Sequence, residues 1–359
     1  MHTVLIEAES FDNLGGWIVD QQSIETMGSS YIMAHGMGMP VADATTNVIL
    51  PSVGVWHAWV RTRDWTAVWK RGSAAGVFRM KMGEKQFENI LGCNGEKWDW
   101  QYAGSVRINS CEQTLSLCDL TGFNGRCDAI YLTDDINAVP ENSEEFRQRI
   151  FGETVRDADE YYDLIVCGGG VAGVCMALTA VYEGLNTLLI QDRPVLGGCN
   201  SSEIKVGLGG FTRSEPYPAL GNVLQEIAPV YGSPGSFEKS VYEDDRKLNA
   251  FRTAKQWSKG KTHVSLNEHV ISVEKEENRI VSVVTQNIYT NEKKRYKGKL
   301  FADCTGDAVI SRLSGAETMY GREAKTEYNE QLAPEKSDNM VMGMTITACR
   351  KSPPKGGLF

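Results

Sequence analysis

The sequence predicts a multidomain protein in which an all-β sandwich is followed by an α/β domain. The chain has 359 residues, more than one ordinary hydrophobic core accommodates. Up to about residue 137, short β-type segments alternate with turn residues, and from Tyr162 the pattern becomes strand, turn, helix, strand. We therefore expect a sandwich over 1–137, a linker over 138–160 and an α/β domain over 161–359.

The composition excludes several classes of protein. Hydrophobic residues make up 42% and charged residues 23%, which is typical of a folded soluble domain. The net charge is −9 and no basic stripe occurs, so no nucleic-acid partner is expected. No apolar run has the length of a membrane helix, and the first residues lack the features of a signal peptide. We expect no membrane association and, by default, a cytoplasmic location.

The nine cysteines lack the spacing of a metal or cluster site. No CxxC pair occurs, so the chain supplies no recognisable iron–sulfur or zinc ligands. Cys199 has no second cysteine nearby in the sequence, and we expect it to be a small packed residue rather than a redox centre.

Nine short segments in the first part are rich in Val, Ile, Trp and Tyr and are separated by turn residues. The segment Val55–Thr62 alternates, with Trp56 on one face and His57 on the other, as a half-buried strand does. The pattern predicts a sandwich or jelly roll. The predicted strands are Val4–Glu9, Trp17–Asp20, Tyr31–Ala34, Asn47–Leu50, Val55–Thr62, Val77–Met82, Ser105–Ile108, Thr114–Leu117 and Ala129–Thr133.

The linker is polar and acidic, and its segment Glu144–Phe151 predicts one short helix. The α/β domain then opens with a buried strand, Asp163–Cys167, that runs into the sequence GGGVAG at residues 168–173. An amphipathic helical stretch and a second strand, Asn186–Ile190, follow. This is the strand–turn–helix–strand setting that a GxGxxG dinucleotide-binding motif requires.

Three later segments also have the pattern of strands. They are Val264–Val273, Arg279–Ile288 and Met340–Thr347.

Each glycine of the motif has a physical role. Gly168 permits the tight turn out of the strand, Gly170 lets the backbone approach a pyrophosphate, and Gly173 lets the helix pack closely. The phosphates are then expected at the helix N-terminus beside Val171 and Ala172, where free N–H groups favour anions. The motif predicts a Rossmann-like domain that binds a dinucleotide.

The end of the second strand departs from the usual pattern. An acidic residue normally binds the ribose there, but this chain has Gln191, followed by Asp192 and Arg193. Gln191 can still hydrogen-bond ribose hydroxyls, although less strongly than a carboxylate. Asp192 either takes over this role or faces solvent.

Two further segments identify the cofactor through a resemblance. Gly197-Gly198 closely follows the second strand, and the segment Asp163–Glu203 resembles the FAD-dependent oxidoreductase family of the glutathione-reductase-like superfamily, related to the flavin subunit of heterodisulfide reductase. In that family the paired glycines run along the flavin side of FAD. The resemblance also places Thr305, Gly306 and Asp307 against FAD, and the backbone of Val270 against the adenine. It implies FAD as cofactor, with NAD as the alternative.

The sandwich carries a second resemblance. Glu7-Ala8-Glu9, together with the late segment 127–132 that contains Asp128, resembles the galactose-binding-like jelly rolls of carbohydrate-binding modules. In those modules such carboxylates hold a structural calcium, so the resemblance implies a calcium site at Glu7, Glu9 and Asp128. Solvated carboxylates are the alternative.

The resemblances imply an FAD-binding oxidoreductase that acts on a small organic substrate, with a carbohydrate derivative as one substrate class. The alternatives are a carbohydrate-binding protein with a vestigial flavin domain and an NAD-binding dehydrogenase. The sequence identifies neither a catalytic base nor the electron acceptor. Because relatives extend well beyond the segment 305–307, we also expect the flavin domain to be partial and inactive alone.

Overall fold

A computed structural model describes residues 1–151, 154–208, 215–227 and 237–341 of the chain. Internal contacts divide the chain into two compact units. Unit 1 consists of Met1–Val155 together with Gln286–Lys293, and unit 2 consists of Arg156–Thr285 together with the residues from Lys294 onward. The domain boundaries expected from the sequence remain a proposal.

Unit 1 is a β-sandwich built from eleven strands in three sheets. Its strands are β1 (Thr3–Glu7), β2 (Trp17–Asp20), β3 (Tyr31–His35), β4 (Ala44–Ile49), β5 (Gly54–Thr62), β6 (Phe78–Met82), β7 (Lys85–Gln86), β8 (Asp99–Ile108), β9 (Glu112–Asp119), β10 (Phe123–Cys127) and β11 (Ala129–Thr133). The strand orders are β1-β11-β5-β8, β10-β3-β2 and β4-β9-β6-β7. The unit also holds two helices, α1 (Ile24–Met27) and α2 (Glu144–Phe151).

The alternation of β5 follows the sequence pattern. Trp56, Ala58 and Val60 are fully buried in the sandwich core, whereas His57 and Trp59 on the other face are half-buried. Burying one face of each strand is the main stabilising contribution to such a sheet. The predicted all-β sandwich is therefore confirmed.

Three local features of unit 1 differ from the sequence prediction. The first strand ends at Glu7, so Glu9 lies in a 3₁₀ turn, Ala8–Ser10, instead of in the strand. The short strands β7 and β10 and the one-turn helix α1 were not predicted. Strand β7 and helix α1 are too short to show a hydrophobic period, whereas β10 contains the pair Asn124-Gly125, which is typical of a turn.

Unit 2 is an α/β unit around a six-stranded sheet of order β14-β13-β12-β17-β16-β15. Its strands are β12 (Val155–Cys167), β13 (Thr187–Gln191), β14 (Thr262–Leu266), β15 (Glu268–Glu276), β16 (Arg279–Asn287) and β17 (Lys293–Asp303). Its helices are α3 (Val171–Tyr182), α4 (Asn222–Ile227), α5 (Phe237–Trp257), α6 (Val309–Ser314) and α7 (Lys325–Tyr328).

The βαβ unit predicted at the glycine motif is present. Strands β12 and β13 pair in parallel with Cys167 opposite Ile190, and β13 pairs in parallel with β14. Val174 and Leu178 of α3 pack with Leu189 of the sheet in one apolar cluster. The carboxyl ends of the parallel strands therefore meet at one edge, where ligands bind in open α/β sheets.

Two strand predictions in unit 2 need correction. The single strand expected over 264–273 is divided at Asn267, whose φ of +62° lies in the left-handed region and separates β14 from β15. Strand β12 begins at Val155, inside the expected linker. A further strand expected over 340–347 lies mostly outside the described residues. None of the described helices is both long enough and apolar enough to cross a membrane.

Candidate nucleotide site and buried acidic cluster

The loop between β12 and α3 contains glycines with different surroundings. Gly168 has a φ of +103°, and a Cβ there would lie 2.1 Å from the carbonyl oxygen of Cys304. A Cβ on Gly173 would lie 1.9 Å from the Gly168 carbonyl oxygen, so helix and loop touch directly. A Cβ on Gly170 would meet nothing within 4 Å. Two glycines are thus required by the protein's own packing, and the third faces open space.

A pocket of about 470 Å³ opens at this loop. Most of the cofactor-binding residues expected from the sequence line it: Gly168, Gly170, Val171, Gln191, Asp192, Arg193, Gly197, Gly198, Val270, Thr305, Gly306 and Asp307. Ala172 and Gly173 are not in its lining, since they belong to the body of α3. We call this cavity the glycine-loop pocket.

The N-terminus of α3 is at the pocket. Gly170 is its N-cap residue and supplies no side-chain hydrogen bond, and the first intrahelical bond runs from the Val174 N–H to the Gly170 carbonyl at 2.9 Å. The N–H groups before Val174 therefore have no partner within the helix. Such groups, with the helix dipole, form a site suited to an anion such as a phosphate.

Gln191 has a different role from the expected ribose contact. Its side chain is buried, and its Oε1 accepts a hydrogen bond from the Gly169 N–H at 2.7 Å. Its Nε2 donates to the Val195 carbonyl oxygen at 3.4 Å. Both ends of the amide are thus hydrogen-bonded to backbone groups, so the side chain fixes the glycine loop.

Asp192 and Arg193 follow Gln191 at the pocket. The Asp192 Oδ2 lies 3.6 Å from Nδ1 of His269, whose side chain is 13% exposed. The Arg193 guanidinium donates to both carboxylate oxygens of Glu203, with the shortest contact at 2.7 Å. Arg193 is therefore held in place by an ion pair within the same loop.

The paired glycines form a turn against the glycine loop. Gly197 has a φ of +120°, and its N–H donates to the Gly169 carbonyl oxygen at 2.8 Å. A Cβ on Gly198 would lie 3.3 Å from the Gly170 Cα. The two segments, separated by more than twenty residues in sequence, thus form one continuous wall of backbone.

The segment after β17 is held by Asp303. Its Oδ1 accepts from the Thr305 hydroxyl at 2.7 Å, and its Oδ2 accepts from the N–H and hydroxyl of Ser311 at 2.9 and 2.8 Å. Burial raises the pKa of Asp303, but these hydrogen bonds outweigh it, and the net shift is below the ordinary value. The ionised carboxylate therefore fixes the turn that carries Gly306 and Asp307.

Several pocket residues were missed by sequence reasoning. They are Ile190, Cys199, Asn200, Val206, Gly207, Leu208, Glu268, His269, Cys304 and Val309. Cys199 is exposed, so the expectation of a packed side chain is wrong. Neither its spacing nor its neighbours signalled this, whereas Glu268 and His269 directly precede the predicted Val270 and could have been included on that ground.

The three carboxylates expected to bind calcium in unit 1 are all buried: Glu7, Glu9 and Asp128. We call them the acidic cluster. Two buried arginines approach it. Arg147 pairs with Glu7, and the Arg61 Nη1 lies 3.3 Å from the Asp128 Oδ2. Sequence reasoning missed both arginines, because they come from β5 and α2 and are far from the carboxylates in sequence. Contacts of this kind leave no local sequence pattern.

Glu9 is surrounded differently from the other two carboxylates. Its Oε1 accepts from the Asn291 amide at 2.7 Å, but its buried Oε2 has no hydrogen-bond partner among the described residues. Burial is the main cause that raises the pKa of Glu9 well above its ordinary value and that of Glu7 to about 8. Within the described part of the chain, no three His, Cys, Asp or Glu side chains are arranged to hold a metal ion. The calcium site stays a prediction.

The fold and the pocket define a dinucleotide-binding α/β protein joined to a β-sandwich. A family model described as FAD dependent oxidoreductase matches residues 163–351, slightly more than half of the chain. The chain belongs to this family. The match confirms the predicted resemblance to the FAD-dependent oxidoreductase family.

Three solved structures illustrate the matches to parts of the chain. The FAD-complexed glycerol-3-phosphate dehydrogenase of Bacillus halodurans is 13% identical over 44% of this chain and 37% of its own, with a TM-score of 0.30. The L-proline dehydrogenase of P. horikoshii is 16% identical over 43% and 24%, with a TM-score of 0.27. A family 35 carbohydrate-binding module of Clostridium thermocellum is 14% identical over 38% and 100%, with a TM-score of 0.30. The chain thus spans less than half the length of either dehydrogenase, and similarities of this size establish no shared function.

Proposed function

We propose that the glycine-loop pocket binds FAD and that the chain acts as an oxidoreductase on a small organic molecule. The observation that carries the proposal is the open space at Gly170, beside the first N–H groups of α3, which have no partner within the helix. A pyrophosphate needs such a backbone surface without a Cβ. Family membership favours FAD as the dinucleotide.

Different residues of the pocket would bind different parts of FAD. Gly170, Val171 and Ala172 would hold the pyrophosphate through backbone N–H groups, and Gln191 would keep the loop in shape. Asp192 remains the candidate for the ribose hydroxyls, since Gln191 is engaged elsewhere. Bound FAD would supply the hydride chemistry, so the chain's own task is to bind and orient cofactor and substrate.

An absorbance spectrum tests this proposal. The purified chain, reconstituted with FAD and freed of excess cofactor, should show flavin bands in about equimolar amount. Anaerobic addition of candidate reductants, including reducing sugars, should bleach the bands if the chain is an oxidoreductase. A chain that retains no flavin after reconstitution would contradict the binding proposal, and unbleached bands with every donor class would favour the vestigial-domain alternative.

A carbohydrate derivative is the substrate class that we propose, on the basis of a loop in unit 1. Trp69 is 75% exposed and makes an edge contact with Trp65 at a ring distance of 5.7 Å. The buried Asp64 holds the loop, accepting from the Thr66 N–H at 3.0 Å and the Ala74 N–H at 2.9 Å. An exposed aromatic on an ordered loop suits the apolar face of a sugar ring.

Titration calorimetry with a panel of oligosaccharides tests this class. Trp69→Ala should abolish any heat of binding that the wild type shows, whereas Val68→Ala, an exposed apolar neighbour, should leave it unchanged. No heat with any glycan, or equal effects of the two substitutions, would contradict the proposal.

We also propose that calcium binds at the acidic cluster. Three carboxylates face two guanidiniums, so one negative charge lacks a partner unless a proton or a cation supplies it. The unpartnered Glu9 Oε2 offers a hard oxygen ligand. Calcium should therefore raise the melting temperature of unit 1, and Glu9→Ala should remove the rise. Identical melting curves with calcium and with chelator would contradict this.

A further inference from the structure

A buried lysine lies behind the wall of the glycine-loop pocket. Lys247 of α5 is fully buried, and its Nζ donates to the Asn200 carbonyl oxygen at 3.0 Å and to the Glu243 carbonyl oxygen at 3.3 Å. Asn200 ends the 3₁₀ turn Gly198–Asn200, which lines the pocket. The ammonium thus binds the pocket wall from the side that faces away from the cavity.

Asp244, three residues earlier on the same helix, contacts the next part of the wall. Both of its carboxylate oxygens accept from the Ser202 N–H, at 3.1 and 3.3 Å, and its side chain is buried. Residues three apart lie on the same face of a helix. Lys247 and Asp244 therefore hold the backbone on both sides of Ser201, one as donor and the other as acceptor.

The packing of the turn on Lys247 is close. A Cβ on Gly197 would lie 2.8 Å from the Lys247 Cε and 2.9 Å from the Asn200 carbonyl oxygen. The same glycine donates its N–H to the Gly169 carbonyl of the motif loop. Any shift of the turn is therefore passed to the loop that carries Gly170.

Burying a lysine costs free energy, and a well-packed apolar side chain in the same space is often as stabilising or more so. A lysine at this position therefore indicates that the ammonium has a role. Burial lowers the pKa of Lys247, while the nearby Asp244 and Glu243 act in the opposite direction. The contact that bears on the pocket is geometric, because the Nζ donates to the Asn200 carbonyl oxygen at the end of the turn.

We propose that Lys247 and Asp244 are positioning residues for the cofactor site, holding the turn 197–202 in the shape that accepts FAD. Neither residue lines the pocket, so both act through the turn. The inference rests on the proposed function of the pocket. The two residues give α5 a role in cofactor affinity that the glycine motif does not predict.

Cofactor titration of single variants tests the role. Lys247→Met keeps the length of the side chain but leaves the Asn200 carbonyl unpaired, and it should weaken FAD binding by about tenfold or more. Lys255→Met, at an exposed lysine on the same helix, should leave the affinity unchanged. Asp244→Ala should weaken binding, whereas Asp244→Asn, which retains an acceptor for the Ser202 N–H, should restore most of it.

Hydrogen exchange of the cofactor-free protein separates positioning from a general loss of stability. Lys247→Met should speed the exchange of amides 198–206 while those in the middle of α3 stay protected. Uniformly faster exchange throughout unit 2 would overturn the inference. So would unchanged FAD affinity in Lys247→Met or equal affinities in Asp244→Ala and Asp244→Asn. If the wild type itself binds no FAD, the proposed function fails first, and this inference falls with it.

Discussion

The glycine-loop pocket of unit 2 and the acidic cluster of unit 1 are built from different parts of the chain. The pocket wall includes the backbone of the glycine loop, where Gly170 leaves room for close approach of a ligand. The cluster consists of charged side chains, such as Glu7 and Arg147, that meet in a buried space. The first arrangement presents backbone to a ligand, and the second brings opposite charges together in the interior.

The difference lies in what a substitution would disturb. A side chain added to the pocket at Gly170 meets no protein atom, so it should affect a ligand and leave the fold intact. A side chain removed from the cluster leaves a buried charge without its partner, so it should affect the fold first. Substitutions in the glycine-loop pocket and in the acidic cluster should therefore have different effects on ligand binding and on stability.

Removing Arg147 should destabilise unit 1 most strongly. Above about pH 8, where Glu7 is ionised, Arg147→Met leaves its carboxylate buried without an ion-pair partner, and breaking a buried pair costs about 3–5 kcal/mol. Arg149→Met is the matched control, because its ion pair with Glu141 is exposed and should contribute little. Denaturant unfolding measures both. Similar small losses in the two variants would show that the cluster is not held by this pair.

Two glycines three residues apart should give opposite results. Gly173→Ala places a methyl group 1.9 Å from the Gly168 carbonyl oxygen and should destabilise unit 2 by about 1–3 kcal/mol. Gly170→Ala meets no atom within 4 Å and should leave the melting temperature unchanged. Thermal melting without cofactor compares them, and equal stabilities would contradict the packing described for the loop.

The stability of unit 1 should depend on pH. Burial, opposed in part by Arg147, raises the pKa of Glu7 to about 8 from an ordinary 4.5, so the folded state binds this proton more tightly than the unfolded state. The resulting stabilisation is complete below about pH 4.5 and is lost as the pH rises to about 8. The melting temperature of unit 1 should therefore fall across this range.

Two variants identify the source of that pH dependence. Glu7→Gln removes the carboxyl whose pKa is raised to about 8 and should flatten the fall. Asp12→Asn should leave it unchanged, since hydrogen bonds from Asn47 and Thr46 lower the pKa of the exposed Asp12 and keep it ionised throughout. A melting temperature that is flat between pH 5 and pH 8 in the wild type would contradict the account of the cluster.

The smallest expected effect concerns Gln191. Gln191→Ala removes the acceptor of the Gly169 N–H, and one neutral hydrogen bond contributes roughly 0.5–1.5 kcal/mol. FAD affinity should weaken by no more than about tenfold. Gln191→Glu, which keeps an acceptor oxygen at this position, should bind FAD more tightly than Gln191→Ala. The reverse order would show that Gln191 does not act through the loop.

The same contrast explains what the sequence could predict. The glycine loop of the pocket consists of residues close in sequence, whose spacing is fixed by one turn between β12 and α3, and the motif at 168–173 therefore indicated it directly. The role of Gln191 could not be predicted, because its amide can bond either ribose or backbone. The contribution of α5 was hidden as well, since Lys247 lies about fifty residues from the turn that it binds.

In the acidic cluster, by contrast, the contacts between side chains could not be predicted from the sequence. Glu7 ends β1 and Asp128 directly precedes β11, while Arg61 and Arg147 come from β5 and α2. No periodicity links these four positions, so their pairing follows from the tertiary fold alone. The resemblance of the Glu7–Glu9 segment therefore identified the carboxylates and missed the cations that face them.

FAD titration of the wild type and of Gly170→Val tests whether the glycine-loop pocket binds the pyrophosphate of FAD. We expect about one FAD per chain for the wild type and none for Gly170→Val, because the branched side chain would occupy the pyrophosphate site. The melting curves of both cofactor-free proteins should coincide, since the added Cβ meets no protein atom. A Gly170→Val protein that retains stoichiometric FAD would contradict the assignment of the pocket.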